Sequence, residues 1–441
     1  LLKEVFNLEN SAALKSFIKY SSLSICAMLA LSCYILVDTF FIAQCLGERG
    51  LAALNIAIPV YNVMHGAGLM VGMGGAAKFS IYKGQKEHKK ADLMFTNTLY
   101  IAAALSVFFM LCGALGSEKI TALLGADKEI FEMTNIYIKV LLVCSPAFLM
   151  NNVLLCFTRN DGKPQLAMAA TASGSFLNII LDYVFMFIFK MGMFGAVAAT
   201  VFSPVMGIAL TSRHFLSKNK GFHIVRSKID PKFAKNNVLL GFPSFLEQMS
   251  SGIVIVVFNF IILAIAGNTG VAAYGVVANI SLVVSAVFTG IAQGIQPLSS
   301  TAYGKNNIAE AEKYLKYAII LMTALAAAVY AFIFIFAEEI ALVFNSEKNA
   351  LLQGMAVEGL RLYFVSTVFM GFNIIISMYF ISVEKVAPAH TISLLRGFAV
   401  IIPMAFVLSS VWKMNGVWIS FPASEIVVFL VSAALYRKCR K

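Results

Sequence analysis

"GERGLAALNIAIP", residues 47–59, and "GNTGVAAYGVVAN", residues 267–279, are one passage written twice. Set 220 positions apart they align without a gap, Gly47 on Gly267, Gly50 on Gly270, and Ala52–Ala53 on Ala272–Ala273. The register holds onward through Gly74 with Gly294, Ser80 with Ser300, Gly84 with Gly304 and Ala91 with Ala311. A match this long at one offset is an internal repeat. What lies between the copies therefore defines half of the fold.

What lies between them is apolar. The chain has 441 residues, of which 60% are hydrophobic and only 13% charged, whereas soluble domains carry about a quarter charged residues. It divides into twelve apolar blocks, at 15–46, 51–82, 91–116, 130–158, 164–190, 193–217, 236–266, 271–303, 311–337, 351–382, 387–411 and 415–436. Each is long enough to cross a hydrocarbon layer of about 30 Å at about 1.5 Å per residue. Several run long for one crossing, which predicts tilted helices or ends projecting into water. The expected fold is an all-α polytopic membrane protein: twelve transmembrane helices in two six-helix lobes related by a pseudo-twofold axis. The lobes are 1–217 and 236–441, joined by an inter-lobe loop at 218–235. Six is even, so both copies insert the same way up, and transporters built in this way hold substrate between their halves.

The net charge of +12 does not point to nucleic acid, because the basic residues alternate by loop. One set of loops and both ends hold 24 of them, among them Lys3, Lys15, Lys83, Lys86, Arg159, Lys163, Lys305, Lys385, Arg437, Lys441 and seven in 213–235. The opposite loops hold six: Arg49, Lys119, Lys128, Lys190, Lys348 and Lys413. By the positive-inside rule both termini are expected in the cytoplasm. The seven cysteines are scattered, odd in number and without a CxxC pair, which argues against a disulfide frame or a zinc site. The polar opening "LLKEVFNLEN" lacks the apolar core and cleavage site of a signal sequence, so none is expected.

Charges within a bilayer cost roughly 2.5–3.5 kcal/mol each on insertion scales, so each needs a partner or a task. Asp38, in "YILVDTFF", lies nine positions before Gly47; Asp182 lies eight before Lys190, and Thr200 eight after Gly192. All three fall on the order of 12 Å below the same surface. Asn178 is one turn deeper than Asp182, on the same face. Carboxyl groups withdrawn from water and set beside each other hold a proton near neutral pH, and the same oxygens suit a hard cation. Asp38, Asp182, Asn178 and Thr200 are thus expected to form a proton or sodium site, with Asp38 and Asp182 the metal ligands if the ion is sodium. Glu247, in "GFPSFLEQMSS", is the main ionisable group of the seventh block and a candidate for a second-lobe site. Asp38 corresponds to Phe258 at the offset of 220, so the acid cluster is expected in the first half alone.

Other features have plainer readings. "GAGLMVGMGG" has the glycine spacing of a dinucleotide loop but lies inside an apolar helix, where Gly68 and Gly72 suit close helix packing. His65 is expected in a hydrogen-bonded packing role. Arg396 and Glu425, in the eleventh and twelfth blocks, are explained by an ion pair or by snorkelling.

The run "YILVDTFFIAQCLGERGLAALNIAIP" resembles the first-to-second span signature of the multidrug and toxic compound extrusion (MATE) transporters. "FTRNDGKPQ" is similar to their fourth-to-fifth loop, and "GIQPLSSTAYGK" to the end of their eighth span. Asn178-x-x-x-Asp182 looks like the fifth-span motif of the family's DinF-like branch, although Tyr183 stands where that branch usually has proline. The resemblance implies a monomeric exporter in a prokaryotic plasma (inner) membrane. Its two lobes would rock about a central cleft and exchange small amphipathic, often cationic, drug-like molecules for protons or sodium ions, with no cofactor. It adds Asn152 and Tyr137 of the fourth span as contributors to the first-lobe cation site. Glu247 resembles the seventh-span acid of the NorM-like branch, whose tenth-span aspartate has no counterpart here beyond Asn373.

A lipid-linked glycan flippase of the same superfamily is the alternative. Its cavity would carry a cationic lining for a pyrophosphate, whereas the spans here hold few deep bases, with Lys78, Lys139 and Arg396 scattered. A membrane enzyme is disfavoured, since no nucleophile, base or metal constellation is apparent.

Overall fold

The computed structural model describes residues 11–217, 220–345 and 349–440. The opening decapeptide, with Lys3, and also Lys218, Lys348 and Lys441 lie outside the described residues. The described residues are helical and include no strand.

Two helices, α1 (Ser11–Gly84) and α7 (Pro231–Gly304), run for 74 residues each, several times what one crossing needs. Each is broken once, α1 at Gly47 (φ 64°, ψ −154°) and α7 at Gly267 (φ 61°, ψ −158°). This backbone region is essentially open to glycine alone, and the chain reverses there. Tyr34 and Tyr61 meet across the first break, within electrostatic reach of each other, although a straight helix would part them by about 40 Å. Across the second, the rings of Phe258 and Tyr274 stack with centroids 5.4 Å apart. Each long helix therefore supplies two spans.

The first half continues with α2 (His88–Leu123), α3 (Phe131–Val143), α4 (Ser145–Asn160), α5 (Pro164–Tyr183) with a π-helical turn over Val184–Ile188, and α6 (Gly192–Leu216). The second repeats the plan after α7. It has α8 (Ile308–Ile335), a short α9 (Ala337–Phe344), α10 (Ala350–Tyr363), α11 (Thr367–Ser382), α12 (Val386–Leu394), a π turn over Leu395–Ala399, and α13 (Ile401–Arg440). α13 is turned at Lys413 (φ 50°, ψ −127°): its first part completes the eleventh span begun by α12 and the π turn, and the rest is the twelfth. Counting bent pairs as single spans gives twelve transmembrane helices.

Two spans expected to be single helices are broken. Block 130–158 bends by 50° at Cys144, between α3 and α4, because Pro146 lacks an N–H and is tolerated only in the first turn of the new helix. Block 351–382 tightens into a 3₁₀ turn at Phe364–Ser366, starting 220 residues on from Cys144. The fifth span carries a π turn immediately after Tyr183, and the eleventh carries one nearer its start, at Leu395–Ala399. The repeat thus extends to the Cys144 and Phe364 breaks, whose residues do not match, but not to the π turns.

The halves meet closely at the end carrying the basic loops. A Cβ placed on Gly84 would lie 2.5 Å from the Thr301 carbonyl oxygen, and one on Gly304 would lie 2.2 Å from that of Ile81. A Cβ on Gly241 would lie 1.7 Å from the Met70 carbonyl oxygen. Three side-chain contacts add to this closure: Lys78 with Glu384, Arg159 Nη1 with Gln293 Oε1 at 2.5 Å, and Asn160 Nδ2 with Gln296 Oε1 at 2.8 Å.

The connection between the halves, expected to be a plain basic joint, is a strap laid along α2. Backbone N–H groups of His223, Val225 and Asp230 donate to Asp92 Oδ1 (2.8 Å), Thr96 Oγ1 (3.1 Å) and Asn97 Oδ1 (2.9 Å). Phe222 is fully buried among the rings of Phe79, Phe95 and Phe157. Asp230 then caps α7 through the Lys232 N–H at 2.8 Å, with Pro231 in its first turn.

Candidate functional site

The reversal at Gly47 sets the first span against the second, and the fifth packs beside them. Asp38 on the first and Asp182 on the fifth point at each other, their carboxyl groups within hydrogen-bonding reach. Asp38 is 7% exposed and Asp182 fully buried. Asp38 Oδ1 and Asp182 Oδ1 are buried atoms with no hydrogen-bond partner among the described residues.

Around the pair the polar groups are ordered by short bonds. The Asn178 amide donates to Asp182 Oδ2 at 3.1 Å and accepts from the Thr200 backbone N–H at 3.2 Å. That bond ties the fifth span to the sixth. Thr200 also donates its hydroxyl to the Ala196 carbonyl at 3.0 Å and neighbours Tyr137 of the fourth span. Tyr137 is 4% exposed and lies within electrostatic reach of both aspartates. Asp38, Asp182, Asn178, Thr200 and Tyr137 therefore share one buried locus drawn from four spans. Asn152 does not bond to it. Its amide faces His65, at 3.3 Å from Nδ1 and 3.4 Å from the carbonyl oxygen, and His65 in turn stacks on Tyr61 at 5.3 Å.

Tyr34 and Tyr61 were not anticipated. They lie within electrostatic reach of each other and of Asp38. A signal was present for Tyr34, which sits four residues before Asp38 and hence on the same helix face. Gly68 and Gly72 take their expected packing role: a Cβ on Gly68 would lie 2.7 Å from Asn152 Nδ2, and one on Gly72 would lie 3.0 Å from the Asn152 carbonyl oxygen.

Glu247 lies in a second cluster, confined to the second half. Arg396, carried by the π turn, donates through Nε to Glu425 Oε1 at 2.8 Å and through Nη1 to Glu247 Oε1 at 3.2 Å. Glu425 is 2% exposed, and its other oxygen accepts from Asn373 Nδ2 at 2.7 Å; Ser432 donates to Asn373 Oδ1 at 3.0 Å. Arg396 and Glu425 form an ion pair, one of the two explanations anticipated for them. The facing acid pair expected in the first half alone has no copy at Phe258 in the second, whose acids Glu247 and Glu425 are instead paired with the base Arg396. No group of three His, Cys, Asp or Glu side chains suited to a metal occurs among the described residues.

Comparison with known proteins agrees with this architecture. A single family model, MatE, matches the chain twice, over residues 24–184 and 243–407. Among curated proteins, the multidrug export protein MepA of Staphylococcus saprophyticus is 24% identical over 432 residues, covering 98% of this chain and 95% of the relative. Among solved structures, an outward-facing multidrug resistance MATE family transporter of the MOP superfamily superposes with a TM-score of 0.91 at 24% identity, over 97% of this chain and 95% of that one. A MOP superfamily transporter from Pyrococcus furiosus, whose binding pocket is described as reversed in polarity and suggestive of a different function, superposes with a TM-score of 0.90 at 24% identity, over 97% and 95%. At this identity the structural likeness shows the fold. The family model, matching well over half of the residues, shows more: this chain belongs to the MATE family of multi-pass membrane transporters, which are not enzymes.

Proposed function

We propose that this chain is a multidrug exporter working by secondary active antiport. It would exchange small amphipathic, often cationic molecules for protons or sodium ions, with residues 1–217 and 236–441 rocking as two lobes about 218–235. The observation that carries the reading is the facing pair of buried carboxyls, Asp38 and Asp182. The closed basic-loop end agrees with one of the two end states of such a cycle. The name of the relative, a multidrug export protein, supports the substrate class. The charge alternation supports both termini in the cytoplasm, and the likeness to bacterial multidrug export proteins supports a prokaryotic plasma membrane, where the chain would act as a monomer among lipids.

The chemistry follows from charge at low dielectric. Two carboxylates in contact and out of water repel strongly, whereas one proton between them satisfies both oxygens. Loss of that proton creates charge that the site must accommodate by rearranging. Asn178, Thr200 and Tyr137 connect the pair to the fourth, fifth and sixth spans, so a change at the carboxyls reaches three helices. The π turn just past Asp182 supplies a place for the fifth span to yield. A sodium ion would take the two carboxylates and complete its shell with the neutral oxygens of Asn178, Thr200 and Tyr137. Asn152 acts one layer out, through His65. Ion and substrate must favour opposite states, since each shifts the equilibrium only by its differential affinity.

The test is efflux of a cationic dye from proteoliposomes, with pH and sodium gradients imposed separately. Asp38→Asn and Asp182→Asn should each lower gradient-driven transport at least tenfold while inserting normally. Full gradient-dependent transport by both variants would overturn the mechanism, and response to only one gradient identifies the ion.

A further inference from the structure

The second-half cluster is asymmetric. Glu425 is buried and fully bonded: one oxygen takes Arg396 Nε at 2.8 Å, and the other takes the Asn373 amide, itself held by Ser432. The Glu247 side chain is 39% exposed and takes one bond, from Arg396 at 3.2 Å, with no other side-chain hydrogen bond among the described residues. Its neighbours lie at the joint between the halves, where a Cβ on Gly66 would lie 3.0 Å from Gln248 Cβ and one on Gly252 would lie 2.8 Å from Asn62 Nδ2. Glu247 thus stands open on one side and weakly held on the other. A small cavity of about 20 Å³ adjoins the cluster, lined among others by Ser250, Ser377 and Ser393.

We propose that Arg396 is a displaceable internal counter-ion: it occupies Glu247 while the cleft is empty and yields Glu247, but not Glu425, to the positive group of a substrate. This rests on the exporter reading and assigns it a specificity-determining residue. A guanidinium has five donors in a fixed fork, so Arg396 can lose one partner and stay paired to Glu425. Two carboxylates and one guanidinium leave a net charge of −1, which a monocation neutralises and an anion worsens. The tethered guanidinium screens Glu247 against weak cations, so a substrate must bring enough apolar contact to complete the displacement. An ion network that only holds helices together would predict no link between Arg396 and ligand charge.

Tetraphenylphosphonium and tetraphenylborate serve as probes, being matched in shape and opposite in charge. Their equilibrium binding to the purified full chain is measured for the wild type, Glu247→Gln and the double variant Arg396→Met/Glu425→Gln, which frees Glu247 without leaving a buried unpaired charge. Glu247→Gln should weaken the phosphonium at least tenfold and leave the borate unchanged or tighter, with no loss of thermal stability. The double variant should bind the phosphonium about tenfold more tightly than the wild type. An unchanged phosphonium affinity in Glu247→Gln overturns the proposal, as does a folded double variant that binds it no more tightly. Should the double variant not fold, Glu247→Gln decides alone. Failure of the exporter reading looks different: wild-type protein would then move no cation under either gradient.

Discussion

Gly47 and Gly267, 220 residues apart, hold the same backbone conformation to within a few degrees, φ 64° and ψ −154° against φ 61° and ψ −158°. Nothing lies within 4 Å of a Cβ built on either. The requirement for glycine is therefore backbone strain and not crowding, and residues forced into such regions cost of order 1–3 kcal/mol. Gly47→Ala and Gly267→Ala should each destabilise by about that amount, read as a lower melting temperature of the purified protein. Lys413 makes the third reversal at φ 50° without being glycine. Lys413→Gly should accordingly raise the melting temperature, and a fall there would mean that the strain is not real.

Crowding, by contrast, governs the glycines at the closed end. With carbonyl oxygens 2.2–2.5 Å from a Cβ on Gly304 or Gly84, no larger side chain fits while the halves are shut there. Gly304→Leu should hold that end open without unfolding either half. The check is the bridging of Arg159→Cys to Gln293→Cys by a bifunctional thiol reagent about as long as the two side chains replaced, since tip-to-tip contact leaves the Cβ atoms too far apart for a direct disulfide, in a background with the seven native cysteines replaced by serine. The contact is 2.5 Å between the native side chains, so the parent should cross-link readily and the Gly304→Leu form at least fivefold more slowly. Equal rates would show that this end can shut around a leucine.

Much of the carboxyl site was legible because its signals are local. Asp38, Asp182 and Thr200 announce themselves by depth, and Asn178 by a spacing of four. Their convergence was not a matter of depth, since equal depth does not make helices neighbours; it depended on the reversal at Gly47 and on the bond from Asn178 to Thr200. The second-half cluster was obscure for a different reason. Arg396, Glu247 and Glu425 share a similar depth below the basic-loop ends of their blocks, but they sit on three separate spans, and no spacing of four marks which partners a long arginine side chain will bridge. The breaks at Cys144 and Phe364 were hidden because apolar composition measures how long a segment is and not whether its hydrogen bonds run unbroken. Glycine at Gly47 and Gly267 left a mark in the sequence, whereas a π turn over "LRGFA" leaves none.

Asn178 offers a sharper test of the site than either acid, because it is uncharged. Its amide joins the Asp182 carboxyl to the Thr200 backbone N–H, and its removal takes a donor from the buried Asp182 oxygen, at about 1–3 kcal/mol. Asn178→Ala should lower stability modestly and transport by a larger factor, at least tenfold. Asn178→Leu, which fills the space without bonding, should do no better. Transport falling only in step with the amount of folded protein would reduce Asn178 to a packing residue.

The last prediction concerns the strap and the loop motif "FTRNDGKPQ". Asp161 within it is 3% exposed in its side chain and accepts from Lys83 Nζ at 2.5 Å, His214 Nε2 at 2.8 Å and the Gly221 N–H at 2.7 Å. One carboxylate thereby ties the end of the second span, the end of the sixth and the start of the strap, which explains in physical terms why an acid stands in that loop. Asp161→Ala removes the common acceptor of three buried or half-buried donors, and breaking a buried pair from one side costs about 3–5 kcal/mol. Nearby, His223 pairs with Asp92 at 3.4 Å with its side chain 52% exposed, and an exposed pair of that kind contributes about 0–1 kcal/mol. Two substitutions at the same strap should therefore differ sharply: Asp161→Ala should lower the melting temperature strongly and expose 220–230 to proteolysis, while His223→Ala should do neither. Comparable small effects from both would mean that Phe222, plugged into the first-half ring cluster, holds the strap without the carboxylate.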